Sequence, residues 1–264
     1  MKKISDRKRI VIKVGTSTLT HRTGMLNIRR VEQLVKTLAD IQNSGHEVIL
    51  VSSGAIGLGM GKLGLRERPK DTPGKQACAA VGQCELMYLY DNLFAEYSIS
   101  VAQMLLTKYV LLEDRRKNVE NAMERLISHR VIPVINENDT VAIDELELEV
   151  GENDSLAAIV ADIAKADLLI IMSDIDGLYD KDPHTYEDAK LIPVVHEITD
   201  EIKALAGGAG TNLGTGGMIT KLNAVEIAYK SDIDVVLMNG QHPKTLYDLF
   251  DGKSVGTIFS KNDD

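Results

Sequence analysis

The sequence contains no tryptophan, and aromatic residues make up only 4% of its 264 residues. A platform on which nucleic-acid bases stack therefore has little material. The formal net charge of −9 argues in the same direction, because proteins that bind phosphate backbones usually present a basic face. We expect no nucleic-acid partner, although a small basic pocket is compatible with this charge.

Cysteine is scarce as well. Cys78 and Cys84 lie in one stretch with helical spacing and match no metal-binding or redox motif, so we expect both to be small residues in or near the core. The histidines are scattered, with no pair at metal-ligand spacing, and no protein-bound metal is predicted. The sequence also lacks a signal segment and a long apolar run, which predicts a cytoplasmic protein that neither spans nor enters a membrane.

Short apolar runs alternate with helical patterns along the chain. The runs predict strands at 9–14, 46–51, 99–106, 131–135 and 168–172, and apolar spacing predicts helices at 28–41, about 75–97, 114–129 and 155–166. Asn27 should cap the first of these helices, and Asn153 or Asp154 the last. Alternating elements with strands that are apolar throughout favour an α/β fold, with helices on both faces of a mainly parallel sheet. This architecture is a three-layer α-β-α sandwich.

The second part of the chain continues this pattern. We predict a short strand near 192–195, a helix at 218–230, a strand at 234–238 and, before residues 256–259, a short final helix. Residues 141–150 alternate apolar and acidic side chains, which suits a hairpin or edge strand with one wet face. The chain is interpreted as one domain of two lobes, about 1–166 and 167–264, that share one continuous sheet.

Three strand-like segments run into polar, glycine-rich loops at residues 12–17, 51–55 and 214–221. Ligands of a doubly wound sheet bind beyond the carboxyl ends of its strands, and glycines there expose backbone N–H groups to an anion. Lys13 lies in an apolar strand, where burial is costly unless an anion meets it, and Lys221 falls in the first turn of a helix. The pattern indicates a phosphate site. Each feature also has a structural alternative. Lys13 could be an edge lysine that faces water, the segment at 51–55 an ordinary turn, and the segment at 214–221 a flexible loop.

Two further segments are rich in amides and carboxylates. Asn136, Asn138 and Asp139 follow a strand, and Asn153 and Asp154 stand at a helix start. Amide donors for carboxylates and acceptors for an ammonium together suit an amino acid.

One glycine pattern resembles that of a dinucleotide-binding site. Gly59, Gly61 and Gly64 match the dinucleotide-binding spacing, but they come well after the strand end, where they could not contact a pyrophosphate. A nicotinamide site is therefore not favoured, and no serine–histidine–acid arrangement stands out.

Taken together, the motifs resemble those of the amino acid kinase family, most closely the branch that phosphorylates the side-chain carboxylate of glutamate. Six segments carry the resemblance in the right order: VIKVGTS at 11–17, VSSGAI at 51–56, VAQMLLT at 101–107, VINEND at 134–139, GEND at 151–154, and GTGGM at 214–218 with Lys221. Six ordered matches are far more specific than any one of them.

The resemblance implies transfer of the γ-phosphoryl group of ATP to glutamate, the first step of proline synthesis. It implies catalytic roles for Lys13, Lys221 and Asp154. It assigns glutamate to Ser53, Gly54, Asn136, Asp139 and Asn153. It assigns the nucleotide to Lys13, Gly15, Ser173, Asp174, Thr215, Gly216, Gly217, Met218, Ile219, Thr220 and Lys221. Mg²⁺ would be held mainly by ATP phosphates.

The resemblance also implies an amino-acid-binding first lobe, a nucleotide-binding second lobe, inhibition by proline and a homo-oligomer. Because the sequence stops at Asp264, it resembles the short form without the C-terminal RNA-modification-type (PUA) domain. Two alternatives stay open: another kinase of this fold, acting on acetylglutamate or a nucleoside monophosphate, and a non-catalytic amino acid or nucleotide sensor.

Overall fold

Strands and helices alternate through most of the chain in the computed structural model, which describes residues 4–21, 25–141, 153–183, 185–206 and 217–261. The strands are β1 Arg9–Val14, β2 Glu47–Ser52, β3 Val101–Leu106, β4 Ile132–Glu137, β5 Leu168–Ser173, β6 Val194–Val195, β7 Asp234–Asn239 and β8 Thr257–Phe259. The helices are α1 Thr16–Leu19, α2 Ile28–Asn43, α3 Ala55–Lys62, α4 Thr72–Ala95, α5 Glu113–Ser128, α6 Asn153–Ile163, α7 Asp200–Ala206, α8 Met218–Lys230 and α9 Thr245–Phe250.

The strands form one sheet in the order β3-β4-β2-β1-β5-β7-β8-β6. All neighbouring strands pair in parallel except β7 and β8, which are antiparallel. The mainly parallel sheet predicted from the alternating pattern is therefore confirmed. Since β1 lies in the middle, with β2 on one side and β5 on the other, the strand order reverses around β1.

Helices cover both faces of the sheet, as the buried strands require. Successive side chains of a strand point to opposite faces, and β1 shows this directly. Val11 belongs to a core cluster with residues of α5, α6 and α8, whereas Ile10 and Ile12 belong to a second cluster with residues of α2, α4 and α9. The predicted three-layer sandwich is thus confirmed, with one core on each side of the sheet.

The predicted start of α2 is also confirmed. The side chain of Asn27 caps α2 by accepting a hydrogen bond from the backbone N–H of Arg30, and Gly45 follows the helix with φ of +114°. At α6 the prediction was wrong by a few residues, because the helix begins at Asn153. Asn153 and Asp154 therefore lie in its first turn instead of preceding it. The hairpin predicted at 141–150 lies, after Val141, outside the described residues.

One of the glycines that match the dinucleotide spacing, Gly59, is required for helix packing. Gly59 and Gly61 lie inside α3, a short helix that the periodicity did not single out. A Cβ on Gly59 would come within 1.8 Å of the carbonyl oxygen of Cys78, and a Cβ on Gly82 within 1.7 Å of that of Ala55. Only glycine permits the backbones of α3 and α4 to approach so closely.

The two cysteines differ in exposure. Cys78 is buried as predicted, but Cys84 is exposed, so the expectation for that residue was wrong. Six helical positions turn a side chain by about 240°, which places the two on different sides of α4. Among the described residues, no helix combines the length and apolar character needed to cross a membrane, although α4 has 24 residues.

Candidate active site

A cleft of about 430 Å³ opens at the carboxyl ends of β1, β2, β4 and β5. This edge of the sheet, where the strand order reverses, is the usual ligand site of a doubly wound fold. The structure brings together here the following predicted site residues: Lys13, Gly15, Ser53, Gly54, Asn136, Asp139, Asn153, Asp154, Ser173, Asp174 and Lys221.

A buried carboxylate holds two lysines at the base of the cleft. Lys13 has the same parity in β1 as Val11, so its side chain leaves the sheet toward α6 and α8. Its Nζ lies 2.5 Å from Oδ1 of Asp154, and Nζ of Lys221 lies 3.4 Å from Oδ2 of the same carboxylate. Lys13 is thus an inward-facing, paired lysine, and the alternative of an edge lysine facing water is wrong.

The charges in this group stabilise one another. Burial opposes ionisation of Asp154, but the ammonium groups of Lys13 and Lys221 outweigh it and hold the pKa of the carboxyl below its usual value. The carboxylate is therefore ionised at neutral pH. Two lysine cations around one carboxylate leave a net positive charge, which suits an incoming anion.

Polar side chains form a connected group on the other side of the cleft. Nδ2 of Asn153 donates to Oγ of Ser53 at 2.6 Å and to Oδ1 of Asn136 at 3.0 Å. Since this amide nitrogen has only two hydrogens, both are used, and Oδ1 of Asn153 is left as an acceptor. Ser53 accepts a bond, which leaves its hydroxyl hydrogen to be donated to a ligand. The group therefore offers one donor suited to a carboxylate and one acceptor suited to an ammonium.

Asp139 adds a carboxylate next to this group. Burial raises the pKa of Asp139 above its ordinary value, and the positive charge of Arg68 partly counteracts the rise. Arg68 also lines the cleft. A half-buried carboxylate whose negative charge is only partly compensated is stabilised by a cationic group of a ligand.

A helix begins directly beneath the cleft. Gly54 adopts a left-handed conformation with φ of 103° and precedes α3, and the first residues of that helix line the cleft. Unpaired N–H groups and the helix dipole at this end favour a negative charge. The serine-glycine segment after β2 is thus placed to help bind an anion.

The structure does not bring every predicted residue to the cleft. Met218 packs against the core, Ile219 is 43% exposed, and Thr220 contacts Asp154 through Oγ1 at 3.4 Å. None of these three, nor Gly217, lines the cleft within the described part of the chain. Thr215 and Gly216 lie outside the described residues, so their nucleotide contacts stay predictions.

Sequence reasoning assigned no role to some residues that line the cleft. Thr16 and Ser17 lie in the first predicted loop segment, at residues 12–17, but the family resemblance gave neither of them a role. Met60 and Arg68 had no comparable signal, because they enter the cleft only through the packing of α3 and the connection to α4.

The sequence model of the amino acid kinase family matches residues 8–239 of this chain. The chain belongs to the amino acid kinase family. Within this family, a protein of Clostridium perfringens named glutamate 5-kinase is 53% identical over 98% of this chain and 97% of its own length. A glutamate 5-kinase of Lactococcus lactis subsp. cremoris is 47% identical, with the same coverage of both chains.

Solved structures agree at the level of the fold. A carbamate kinase from Giardia lamblia bound to AMP-PNP superimposes with a TM-score of 0.68 and 17% identity, over 98% of this chain and 100% of that one. A UMP kinase from Ureaplasma parvum has a TM-score of 0.65 and 16% identity, over 99% and 100%. The architecture predicted from the family resemblance is thereby confirmed.

Proposed function

We propose that this protein transfers the γ-phosphoryl group of ATP to the side-chain carboxylate of L-glutamate, which gives L-glutamyl 5-phosphate in the first step of proline synthesis. One observation carries the proposal: a single cleft joins an amino-acid-type polar group to a pair of buried lysines held by one carboxylate. The named relatives, which match almost the whole chain, support the same reaction.

The reaction needs no general base in the protein. A glutamate side chain titrates at about 4.3, so its carboxylate is already ionised near neutral pH. One of its oxygens forms a bond to the γ-phosphorus of ATP, the bond from that phosphorus to the bridging oxygen breaks, and ADP leaves with the electron pair. Asp154 is therefore available to orient the lysines instead of accepting a proton.

Lys13 and Lys221 supply the positive charge that phosphoryl transfer requires. Negative charge spreads over the oxygens of the transferred group in the transition state, and pre-positioned cations in a water-poor site stabilise it strongly. Asp154 is shared by both ammonium groups, so it sets their mutual position before the substrates arrive.

The two substrates are proposed to enter from opposite sides of β1. Ser53, Asn136, Asp139 and Asn153 belong to the part up to about residue 166 and would hold glutamate. Gly15 of the β1 loop would join Ser173, Asp174 and the start of α8, from the part after residue 167, in holding the nucleotide. The central position of β1 between β2 and β5 places Lys13 between the two groups.

We propose that a magnesium ion arrives with the nucleotide and is held mainly by its phosphates. Within the described ranges, no three histidine, cysteine or acidic side chains converge as a metal cluster, and both oxygens of Asp154 face ammonium groups. Such an ion would keep phosphate and water ligands, as magnesium prefers. When bound, it would neutralise part of the phosphate charge.

A product trap tests the reaction directly. With ATP, Mg²⁺, glutamate and hydroxylamine, the protein should form glutamyl hydroxamate and release an equal amount of ADP. Hydroxamate from N-acetylglutamate or aspartate but not from glutamate would contradict the proposal, as would phosphorylation of a nucleoside monophosphate. Binding of ATP without any product would favour a sensor.

Glutamate binding should depend on the ionisation of Asp139. If its carboxylate accepts the substrate ammonium, the KM for glutamate rises as the pH falls through the pKa of Asp139. Because burial raises that pKa, the rise should begin at a higher pH than for an ordinary aspartate, which titrates at about 3.9. The measurement is the KM for glutamate from neutral pH down to about pH 5.

Two variants separate this effect from general acid inactivation. Asp139→Asn should show a high KM with little pH dependence over this range. Arg68→Gln should move the transition to higher pH, because the arginine charge lowers the pKa of Asp139. An unchanged pH profile in Asp139→Asn would assign the titration to another group.

We also propose that proline inhibits the enzyme at a site that overlaps the glutamate site. Proline shares the α-carboxylate and the charged nitrogen for which Ser53, Asp139 and Asn153 are suited. Proline should therefore raise the apparent KM for glutamate, whereas a rate that proline does not change at any glutamate concentration would reject the overlap.

A homo-oligomer in the cytoplasm completes the proposal. The α3–α4 region exposes several large apolar side chains, a surface suited to contact between copies: Leu63, Leu65 and Tyr88. Light scattering should give a multiple of the 28.9 kDa chain mass. A mass equal to one chain at all concentrations would reject the assembly.

A further inference from the structure

We propose that Gln83, which lies outside the catalytic cleft, is a positioning residue that sets the affinity for the amino acid substrate. This inference rests on the proposed function, because it concerns the group assigned to glutamate. Gln83 is on α4 and is 8% exposed. It does not line the cleft, but it contacts Asn136, which does.

The side chains involved form one directional chain of hydrogen bonds. Nδ2 of Asn136 donates to Oε1 of Gln83 at 2.9 Å. Oδ1 of Asn136 accepts from Nδ2 of Asn153, which also donates to Oγ of Ser53. Donation therefore runs from Asn153 to Ser53 on one side, and from Asn153 through Asn136 to Gln83 on the other.

The acceptor at Gln83 determines how the other amides are oriented. An amide has a donor end and an acceptor end, and turning Asn136 around would place its NH₂ group against that of Asn153. With Oε1 of Gln83 on the far side, Asn136 keeps its oxygen toward Asn153. Asn153 then keeps its own oxygen available for a substrate ammonium, and Ser53 keeps its hydrogen for a carboxylate.

This orientation leaves the amide nitrogen of Gln83 without a hydrogen-bond partner among the described residues. Its Nε2 is buried and has no hydrogen-bond partner within the described part of the chain, which is unusual for a buried amide. A buried donor without a partner opposes folding, so stability alone does not explain this residue. Delivering Oε1 to Asn136 does explain the arrangement.

The residue also stands between two cavities. Gln83 lines a second cavity of about 240 Å³, together with Gln103 of β3. Gln103 is exposed and contributes to the same cavity wall without a hydrogen bond to Asn136 among those described. The chain thus offers a matched control for replacing a glutamine at this cavity.

The test compares substitutions at the two glutamines in the hydroxamate assay. Gln83→Met removes the acceptor at similar side-chain length and should raise the KM for glutamate about tenfold. The KM for ATP should stay within about twofold, because the lysine pair is untouched. Gln83→Glu keeps an oxygen for Asn136 and should stay closer to the wild type, and Gln103→Met should match the wild type.

Folding is followed in parallel by thermal unfolding. If Gln83→Met does not fold, Gln83→Asn provides the same test, since its shorter side chain withdraws the oxygen while keeping an amide. A wild-type KM for glutamate in the folded variant would overturn the positioning role. Equal increases in the KM of glutamate and ATP would overturn it too, because they indicate a general disturbance.

The hydroxamate assay distinguishes the proposed reaction from the positioning role of Gln83. A wild-type protein that forms no glutamyl hydroxamate contradicts both. A wild-type protein that forms it, with a Gln83→Met variant of unchanged KM, contradicts the positioning role alone.

Discussion

Replacing Lys221 with methionine will lower kcat about 10²–10³-fold, while the KM for glutamate changes little. Methionine keeps most of the buried apolar stem and removes the charge. If Lys221 acts on the negative charge that develops during transfer, the loss belongs to the transition state and leaves binding of the amino acid nearly intact. Steady-state kinetics with each substrate varied separately measure the two effects.

Lys230→Met is the matched control for this prediction. Lys230 lies on the same helix, α8, but is exposed at its end, so its replacement removes the same charge from the same element. Its kcat should equal that of the wild type. A Lys221→Met variant with unchanged kcat and a raised KM for glutamate would instead place Lys221 in amino acid binding.

Replacing Asp154 with asparagine will reduce both activity and stability. Asp154 is 1% exposed and pairs with both Lys13 and Lys221. Asparagine removes the negative charge and leaves two buried cations facing each other, and breaking a buried pair in this way costs on the order of 3–5 kcal/mol. Denaturant unfolding measures the stability, and hydroxamate formation measures the activity.

A double variant separates the two effects. Adding Lys13→Met to Asp154→Asn removes one of the unpaired cations, so the free energy of unfolding should recover in part. Activity should not recover, because the lysine that meets the phosphoryl group is gone. Stability losses that simply add would contradict the coupling between Lys13 and Asp154, and recovery of activity would contradict the role of Lys13.

Local signals predicted much of the sheet because each depends on residues close in sequence. The run of β-branched residues before Gly15 predicted β1 with the same first and last residues as in the structure, and Asn27 marked the start of α2. Helices were placed less accurately where glycine was used for packing. Gly59 and Gly61 concealed α3, because glycine is a poor helix former, and the close approach to α4 that requires Gly59 is not visible locally.

The site was predicted as separate loops. Lys13, Ser53, Asn136 and Ser173 could be placed at one edge because parallel strands end at the same edge of a sheet. The family resemblance implied catalytic roles for Lys13, Lys221 and Asp154, and the structure shows that both lysines pair with Asp154. The contact between Gln83 and Asn136 had no local signal, since neither side chain carries a pattern that points to the other.

The alternating elements, the polar loops at the strand ends and the family could all be predicted from the order of the residues, and with them the class of reaction. Which side chains meet became visible only in the folded structure: two lysines on one buried carboxylate, an amide chain that ends at Gln83, and Arg68 near Asp139. The physical reason is that periodicity assigns a residue to a face of its own element, whereas the distance between two side chains depends on how whole elements pack.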